Sequence, residues 1–368
     1  MAEVLVLTVD GSGNVPPALA IGAELQRRGH AVRVLGTARQ ADDVAAAGLA
    51  HVPYRHPREW VAQERRSSTR AALDFVAMVG SRAYGRDLAD AHAHQPADVV
   101  LVDGMIPAAT LRAARLGVPN AVLMHTFATF FLSPALEAAG RVRGFSPRGA
   151  WARADAVLVA SDRELDPASA DAPAGFTWVG VAEKPPIALP DAGPGAGTER
   201  SPRVLVSLSS VHIPAQLGML QRILDGLADL PIEVVATTGP TVDPADLRHP
   251  ANATVHRHLP HHEVLPTCDL VVGHGGHSTT MRTLLHGLPL LVMPADPRID
   301  QPMVARALER AGAGLRLDRS ASPEQIRAVA VTLLGDPSYR EAADAVGRRL
   351  RSQDGTRAAA DRLEALAS

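Results

Sequence analysis

Between residues 270 and 301 the chain reads LVVGHGGHSTTMRTLLHGLPLLVMPADPRIDQ. An apolar strand, Leu270–Val272, runs into Gly273, His274, Gly275 and Gly276, and Ser278, Thr279 and Thr280 then open a helix-like segment. Glycines let a main chain approach a ligand closely, and the first turn of a helix offers N–H groups at its positive dipole end. Hydroxyls at that start cap the helix or bond an anion. The chemistry this suits is a phosphate cradle, with His274 beside it. After a second apolar strand, Leu290–Met293, Asp300 and Gln301 supply two polar side chains suited to sugar hydroxyls. Every α/β protein has glycine-rich strand-to-helix turns, so the glycines alone do not specify a phosphate.

These residues need a scaffold, and the rest of the chain describes one. Short apolar strands are expected at Val4–Val9, Ala31–Leu35, Val99–Asp103, Asn120–Met124 and Ala156–Val159. Helices are expected at Pro16–Arg28, ending at Gly29, and at Ala108–Leu116. Apolar strands alternating with helices imply a parallel sheet covered on both faces. Residues 58–95 read as polar and helix-like, with Arg65, Arg66 and Arg70 on a solvated face or an acceptor wall. Residues 184–203 are dense in Pro and Gly and lack periodicity, which reads as a linker. The pattern then restarts with strands at Val204–Ser207, Ile232–Ala236 and Ala253–His256 and a helix around Gln216–Ala228. The expected division is therefore 1–183, a linker at 184–203, a second α/β unit at 204–338, and one charged amphipathic helix over 339–368.

Composition narrows the function. The 368 residues exceed one ordinary core and suggest two domains. With 37 basic and 39 acidic residues, broad electrostatic binding to nucleic acid is disfavoured. One cysteine, Cys268, excludes an intramolecular disulfide and fits a reducing compartment. No apolar run reaches the ~18 residues a membrane span needs. The opening MAEVLVLTVDG reads as a first strand and not a secretory leader, so a cytoplasmic protein is expected. Aromatics at 3% leave an aliphatic core, and arginine far outnumbers the single lysine, Lys184.

The ordered run His274-Gly275-Gly276, the hydroxyls at 278–280, Gly287-Leu288-Pro289, Pro294 and Asp300-Gln301 resembles the donor-site signature of family 1 nucleotide-sugar glycosyltransferases, H-G-G-x-[GS]-T-T…G-x-P…P…D-Q. Among them the chain looks most like bacterial natural-product enzymes of the calicheamicin type, acting on enediyne, polyketide or macrolide aglycones. The resemblance implies the GT-B fold, two Rossmann-like domains facing across a cleft, with the C-terminal helix crossing back to the N-terminal domain. It implies donor diphosphate contacts from His274 through a charge-assisted hydrogen bond, and from Gly276, Ser278, Thr279, Ser209 and Ser210. His258 and Leu259 would line the nucleobase, and Asp300 and Gln301 would hold the sugar. Ser209 stands where the family has glycine, and His258 where many members have an aromatic stacking residue. The donor implied is a dTDP-linked deoxysugar and the acceptor a small hydrophobic aglycone, with inversion at the sugar. No cofactor and no metal are implied; His261, His262 and Glu263 adjoin in sequence but do not converge as ligands would. A homodimer is left open.

The N-terminal unit should bind the acceptor, and there the chain departs from the family. The family's first loop reads G-H-x-x-P, its histidine being the general base; here Asn14 stands in Gly13-Asn14-Val15-Pro16-Pro17. An amide cannot abstract a proton near neutral pH. Asp103 matches the aspartate that pairs with that histidine. Asp103 acting directly is the leading replacement base, Asp10 or His125 the next, and an acidic acceptor needing little help the last. The plainer reading is that Asn14 and Asp103 cap the helices that follow them, in which case Asn14→Asp would be tolerated. Two other functions fit less well: a nucleotide-sugar 2-epimerase, which Asp300-Gln301 disfavours, and a non-catalytic auxiliary homologue, which the intact donor motif disfavours.

Overall fold

The computed structural model describes residues 1–11, 13–183 and 200–368. The expected linker at 184–203 therefore lies largely outside the described residues. The chain forms two compact units, one of Met1–Ala62, Arg66–Lys184 and Gln353–Ser368, the other of Gln63–Arg65 and Pro185–Ser352.

The first unit holds a seven-stranded sheet made of β1 (Glu3–Leu7), β2 (Ala31–Gly36), β3 (Ala50–Pro53), β4 (Val99–Asp103), β5 (Asn120–Met124), β6 (Ala156–Val159) and β7 (Phe176–Trp178), in the order β3-β2-β1-β4-β5-β6-β7. The second holds β8 (Arg203–Ser207), β9 (Glu233–Thr237), β10 (Ala253–His256), β11 (Leu270–Gly273), β12 (Leu290–Val292) and β13 (Gly314–Arg316), in the order β10-β9-β8-β11-β12-β13. Every pairing is parallel. The central strands are continuous apolar runs because helices cover both of their faces. Val4, Leu5, Val6 and Leu7 in one sheet and Val204, Leu205 and Val206 in the other are almost wholly buried. Each such side chain contributes about 1.5–3 kcal/mol.

In both orders the chain reverses direction of progress beside its first strand: between β1 and β4, and between β8 and β11. At such a switch point the loops leaving adjacent strands diverge and open a crevice at the carboxyl ends. The sequence motifs of interest lie at these two places.

One terminal helix was expected and two are present, Pro337–Arg351 and Gly355–Ala367. Asp354 interrupts the run by accepting from the Arg357 N–H at 2.9 Å, which starts a new helix. The earlier helix packs on helix His277–Leu285 of the second unit. The later one packs on helix Val15–Arg27 of the first and places Ala359, Ala360 and Leu363 in that unit's core. Its polar flank is tied by Arg28 to Asp361 at 2.6 Å and to Glu364 at 2.7 Å. The stretch 58–95 contains two helices, Ser68–Val79 and Ala83–His94. No helix among the described residues is long and apolar enough to cross a membrane.

Candidate functional site

At the β1/β4 switch point the loop after β1 folds back on itself. Gly11 N–H donates to Val9 O at 2.9 Å, and the Asn14 side chain fastens the turn by accepting from Gly11 N–H at 3.0 Å and donating to Val9 O at 2.7 Å. The same Asn14 amide donates to Asp103 Oδ2 at 2.5 Å. The other carboxylate oxygen accepts from Met105 N–H at 2.8 Å. Asp103 is only 3% exposed, and burial pushes its carboxyl above the ordinary value, opposed by His125 and by its hydrogen bonds. His125 follows β5 and brings Nδ1 to 3.8 Å from Asp103 Oδ1. That nitrogen is buried with no hydrogen-bond partner, while the side chain keeps 18% exposure. Phe131 meets the ring edge-on, 5.5 Å between centroids and 87° between planes. Asp10 sits half-buried in the turn after β1.

Both capping expectations are corrected. Asn14 occupies the N-cap position of helix Val15–Arg27 but makes no side-chain cap bond, because its amide is turned toward the loop and Asp103. Helix Pro107–Leu116 starts from Ile106, and Asp103 bonds Met105 instead, ahead of the helix. Direct proton abstraction by Asp103 is disfavoured by the same contacts, since both oxygens are engaged and nearly all of its surface is covered.

At the β8/β11 switch point Gly273 pairs with Ser207. The turn that follows depends on two glycines. Gly275 has φ +81°, and a Cβ there would lie 2.7 Å from Val292 Cγ1; a Cβ on Gly276 would lie 2.5 Å from His274 Nε2. The missing side chains thus let the His274 ring lie across the turn and the main chain tuck against β12. Gly276 is the N-cap of helix His277–Leu285, so Ser278 and Thr279, both half-buried, sit in its first turn. Without ligand, burial depresses the His274 imidazole to about 4, against a raising effect of the Ser207 carbonyl; in the expected charge-assisted bond the phosphate supplies the charge.

The remaining predicted donor residues fall at or near this edge. Ser209 is buried, its hydroxyl accepting from Val211 N–H at 3.1 Å and its carbonyl from Gln216 Nε2 at 2.7 Å; Ser210 is exposed. Exposed His258 and half-buried Leu259 follow β10 at the far end of the sheet order. Asp300 is the N-cap of helix Gln301–Arg310 without a side-chain cap bond to it. Gln301, expected at the sugar, is buried, and its Oε1 accepts from Ala295 N–H at 2.8 Å and Asp296 N–H at 2.9 Å, which makes that oxygen the clamp of the loop after β12.

Sequence reasoning gave no role to Ser207, Thr237 and Gln216, and placed His261 only in the segment that lines the nucleobase. His261 Nε2 lies 3.1 Å from Ser207 Oγ, to which Thr237 Oγ1 donates at 3.0 Å. Hydroxyls ending β8 and β9 were the available signal, since the carboxyl ends of these strands face the crevice. His261, His262 and Glu263 do not form a ligand group among the described residues. The group with ligand-like spacing is His56, Asp87 and Asp90, in the first unit. There buried Asp87 accepts from the main-chain N–H of Arg55 and His56 and pairs with His56 Nδ1 at 2.5 Å, which shapes a turn.

Residues 221–366 match the family described as erythromycin biosynthesis protein CIII-like, C-terminal domain. The chain is 27% identical to 4'-demethylrebeccamycin synthase of Lentzea aerocolonigenes over 99% of both chains. It is 31% identical to demethyllactenocin mycarosyltransferase of Streptomyces fradiae over 45% of this chain and 36% of that one. Among solved structures, the glycosyltransferase of kitacinnamycin superposes with a TM-score of 0.81 at 25% identity, covering 99% of this chain and 98% of that one. The calicheamicin glycosyltransferase CalG4 gives 0.79 at 25%, covering 100% and 98%. The glycosyltransferase VinC, in complex with dTDP, shares the fold with a TM-score of 0.73 at 18% identity, covering 99% of both. The chain is a glycosyltransferase of the GT-B fold, and the relatives it resembles include enzymes named for natural products.

Proposed function

We propose that this enzyme moves a deoxysugar from a dTDP-linked donor to a hydroxyl of a small hydrophobic aglycone, with inversion at the anomeric carbon and without a metal. The observation carrying the donor half is the His274-Gly275-Gly276 turn at the β8/β11 switch point, leading directly into the start of helix His277–Leu285. A diphosphate placed there meets main-chain N–H groups and a positive dipole end, which stabilise the charge that grows on the leaving group. The dTDP bound by VinC makes a thymidine nucleotide the first donor to try. In this reading Ser278 and Thr279 serve the phosphate oxygens, His258 and Leu259 the base, and Asp300 the sugar.

The acceptor hydroxyl attacks the anomeric carbon, the bond to the diphosphate oxygen breaks, and the hydroxyl proton goes to His125 of the first unit. Asp103 positions that imidazole and Asn14 holds Asp103. His125 supports this role better than Asp103 because it keeps exposed surface while its inner nitrogen faces the carboxylate. The pairing of a base with a carboxylate behind it is the usual way to orient an imidazole and favour its cation.

The test is incubation of the full chain with dTDP-sugars and UDP-sugars, with and without phenolic and macrolide acceptors, read by mass spectrometry for transfer and by NMR for sugar configuration. Glycosylated acceptor with the anomeric centre inverted is expected. Epimerised nucleotide-sugar formed without acceptor would mark the 2-epimerase reading, and nucleotide binding with no turnover the auxiliary one.

A further inference from the structure

Two imidazoles meet Ser207 from different elements. His261, opening the short helix His261–Val264, faces the Ser207 hydroxyl, while His274, directly after β11, faces the Ser207 carbonyl. The Nδ1 atoms of both rings are buried with no hydrogen-bond partner. Orphaned buried polar atoms are rare, and two on neighbouring rings beside a glycine turn and a helix start point to a polar ligand that completes them. Thr237 Oγ1–H donates to Ser207 Oγ, whose own proton is then free to go to His261 Nε2, 3.1 Å away; in that tautomer the His261 proton sits on Nδ1 as an unused donor.

We propose that His261 is a second ligand of the donor diphosphate, and that His261 and His274 form a two-imidazole clamp which takes up a proton when a nucleoside diphosphate binds. The proposal rests on the reading of the second unit as the donor site. Without ligand both rings are neutral, at about 4. Burial is the main cause for each; Arg282 and His258 add to it at His261, and His261 adds to it at His274, where the Ser207 carbonyl opposes it. A diphosphate against the two rings reverses that balance by favouring an imidazolium. Ser207 acts through His261 and is a positioning residue.

Isothermal titration of the full chain with dTDP and with UDP at pH 7, in two buffers of different ionisation heat, reads the uptake directly. Expected are a buffer-dependent enthalpy equivalent to roughly one proton and binding to His261→Ala weakened about tenfold. Ser207→Ala should lose less, and His261→Gln combined with His274→Gln, which keeps donors but cannot be protonated, should bind without the buffer dependence. Thermal unfolding of each variant confirms that the fold persists, and thymidine, lacking phosphate, should bind all forms alike. Equal heats in both buffers, with His261→Ala and Ser207→Ala binding dTDP like the wild type, would overturn the clamp. A wild type that binds neither nucleotide fails at the donor-site reading itself and takes the clamp with it.

Discussion

The two units place polar groups at the same point of nearly the same sheet, yet they treat charge in opposite ways. At the β1/β4 edge a buried carboxylate, Asp103, is fully engaged by Asn14 and Met105, with an imidazole at its side. At the β8/β11 edge two imidazoles are buried with unmatched nitrogens, and the partial positive charge of a helix start lies next to them. One edge holds an engaged carboxyl group beside an imidazole and so suits removal of a proton. The other is unsettled without ligand and so suits an incoming anion. The doubly wound topology supplies the location, and the side chains decide which chemistry occupies it.

The largest expected effect breaks the first edge. His125→Ala should lower turnover by roughly 10²–10⁴-fold, the range for a lost general base, while dTDP affinity stays unchanged. If the variant transfers sugar at the wild-type rate, His125 plays no part in proton removal. Asn14→Asp is next. Its side chain would turn an acceptor toward Val9 O and place a second carboxylate against Asp103, so it should cost about 3 kcal/mol of stability near neutral pH. Part of that loss should return in acid, as one of the two protonates. Urea unfolding at pH 5 and pH 8 checks this, and an unaffected variant would restore the simple capping role.

Smaller effects sharpen the second edge. Gln301→Ala removes the acceptor of two N–H groups in the loop after β12, and should destabilise by about 2 kcal/mol, seen as faster amide exchange at Ala295 and Asp296. A stability equal to wild type with altered sugar preference would return Gln301 to the sugar. Gly276→Ala must displace the His274 ring; dTDP binding should weaken several-fold with little change in unfolding, as measured by titration and calorimetry.

The smallest effect compares the edges by pH. His261, His274 and His286 titrate at about 4 when folded, below the ordinary 6.5, so the unfolded chain binds more protons between those values. The stability they contribute is present above pH 6.5 and is lost as pH falls toward 4. Asp103 is raised, so its contribution is present below the ordinary carboxylate range and is lost as pH rises through its folded value. His261→Gln combined with His274→Gln should flatten the loss of stability between pH 6.5 and 4, and an unchanged slope would mean these rings are not neutral in the folded protein.

The sequence by itself determined the local elements and the motif. The parallel strands Val99–Asp103, Asn120–Met124, Ala156–Val159 and Ala253–His256 were legible to the residue. The first three are buried throughout and centre on an apolar run, while Ala253–His256 alternates half-buried and exposed positions at the sheet edge; both are local signals. The donor motif was legible because its residues lie in one strand, turn and helix start. What only tertiary structure decided is which distant residues meet and in what state. Asn14 and Asp103 are 89 positions apart and Ser207 and His261 are 54 apart, and each pair meets only because the sheet order sets β1 beside β4 and β8 within reach of the segment after β10. No periodicity encodes those distances. Nor does residue type reveal that Asn14 would turn from its helix to a carboxylate, that Gln301 would hold a loop, or that His274 would be neutral. Each follows from burial, where an unmatched polar atom or an uncompensated charge is costly enough to choose its partner.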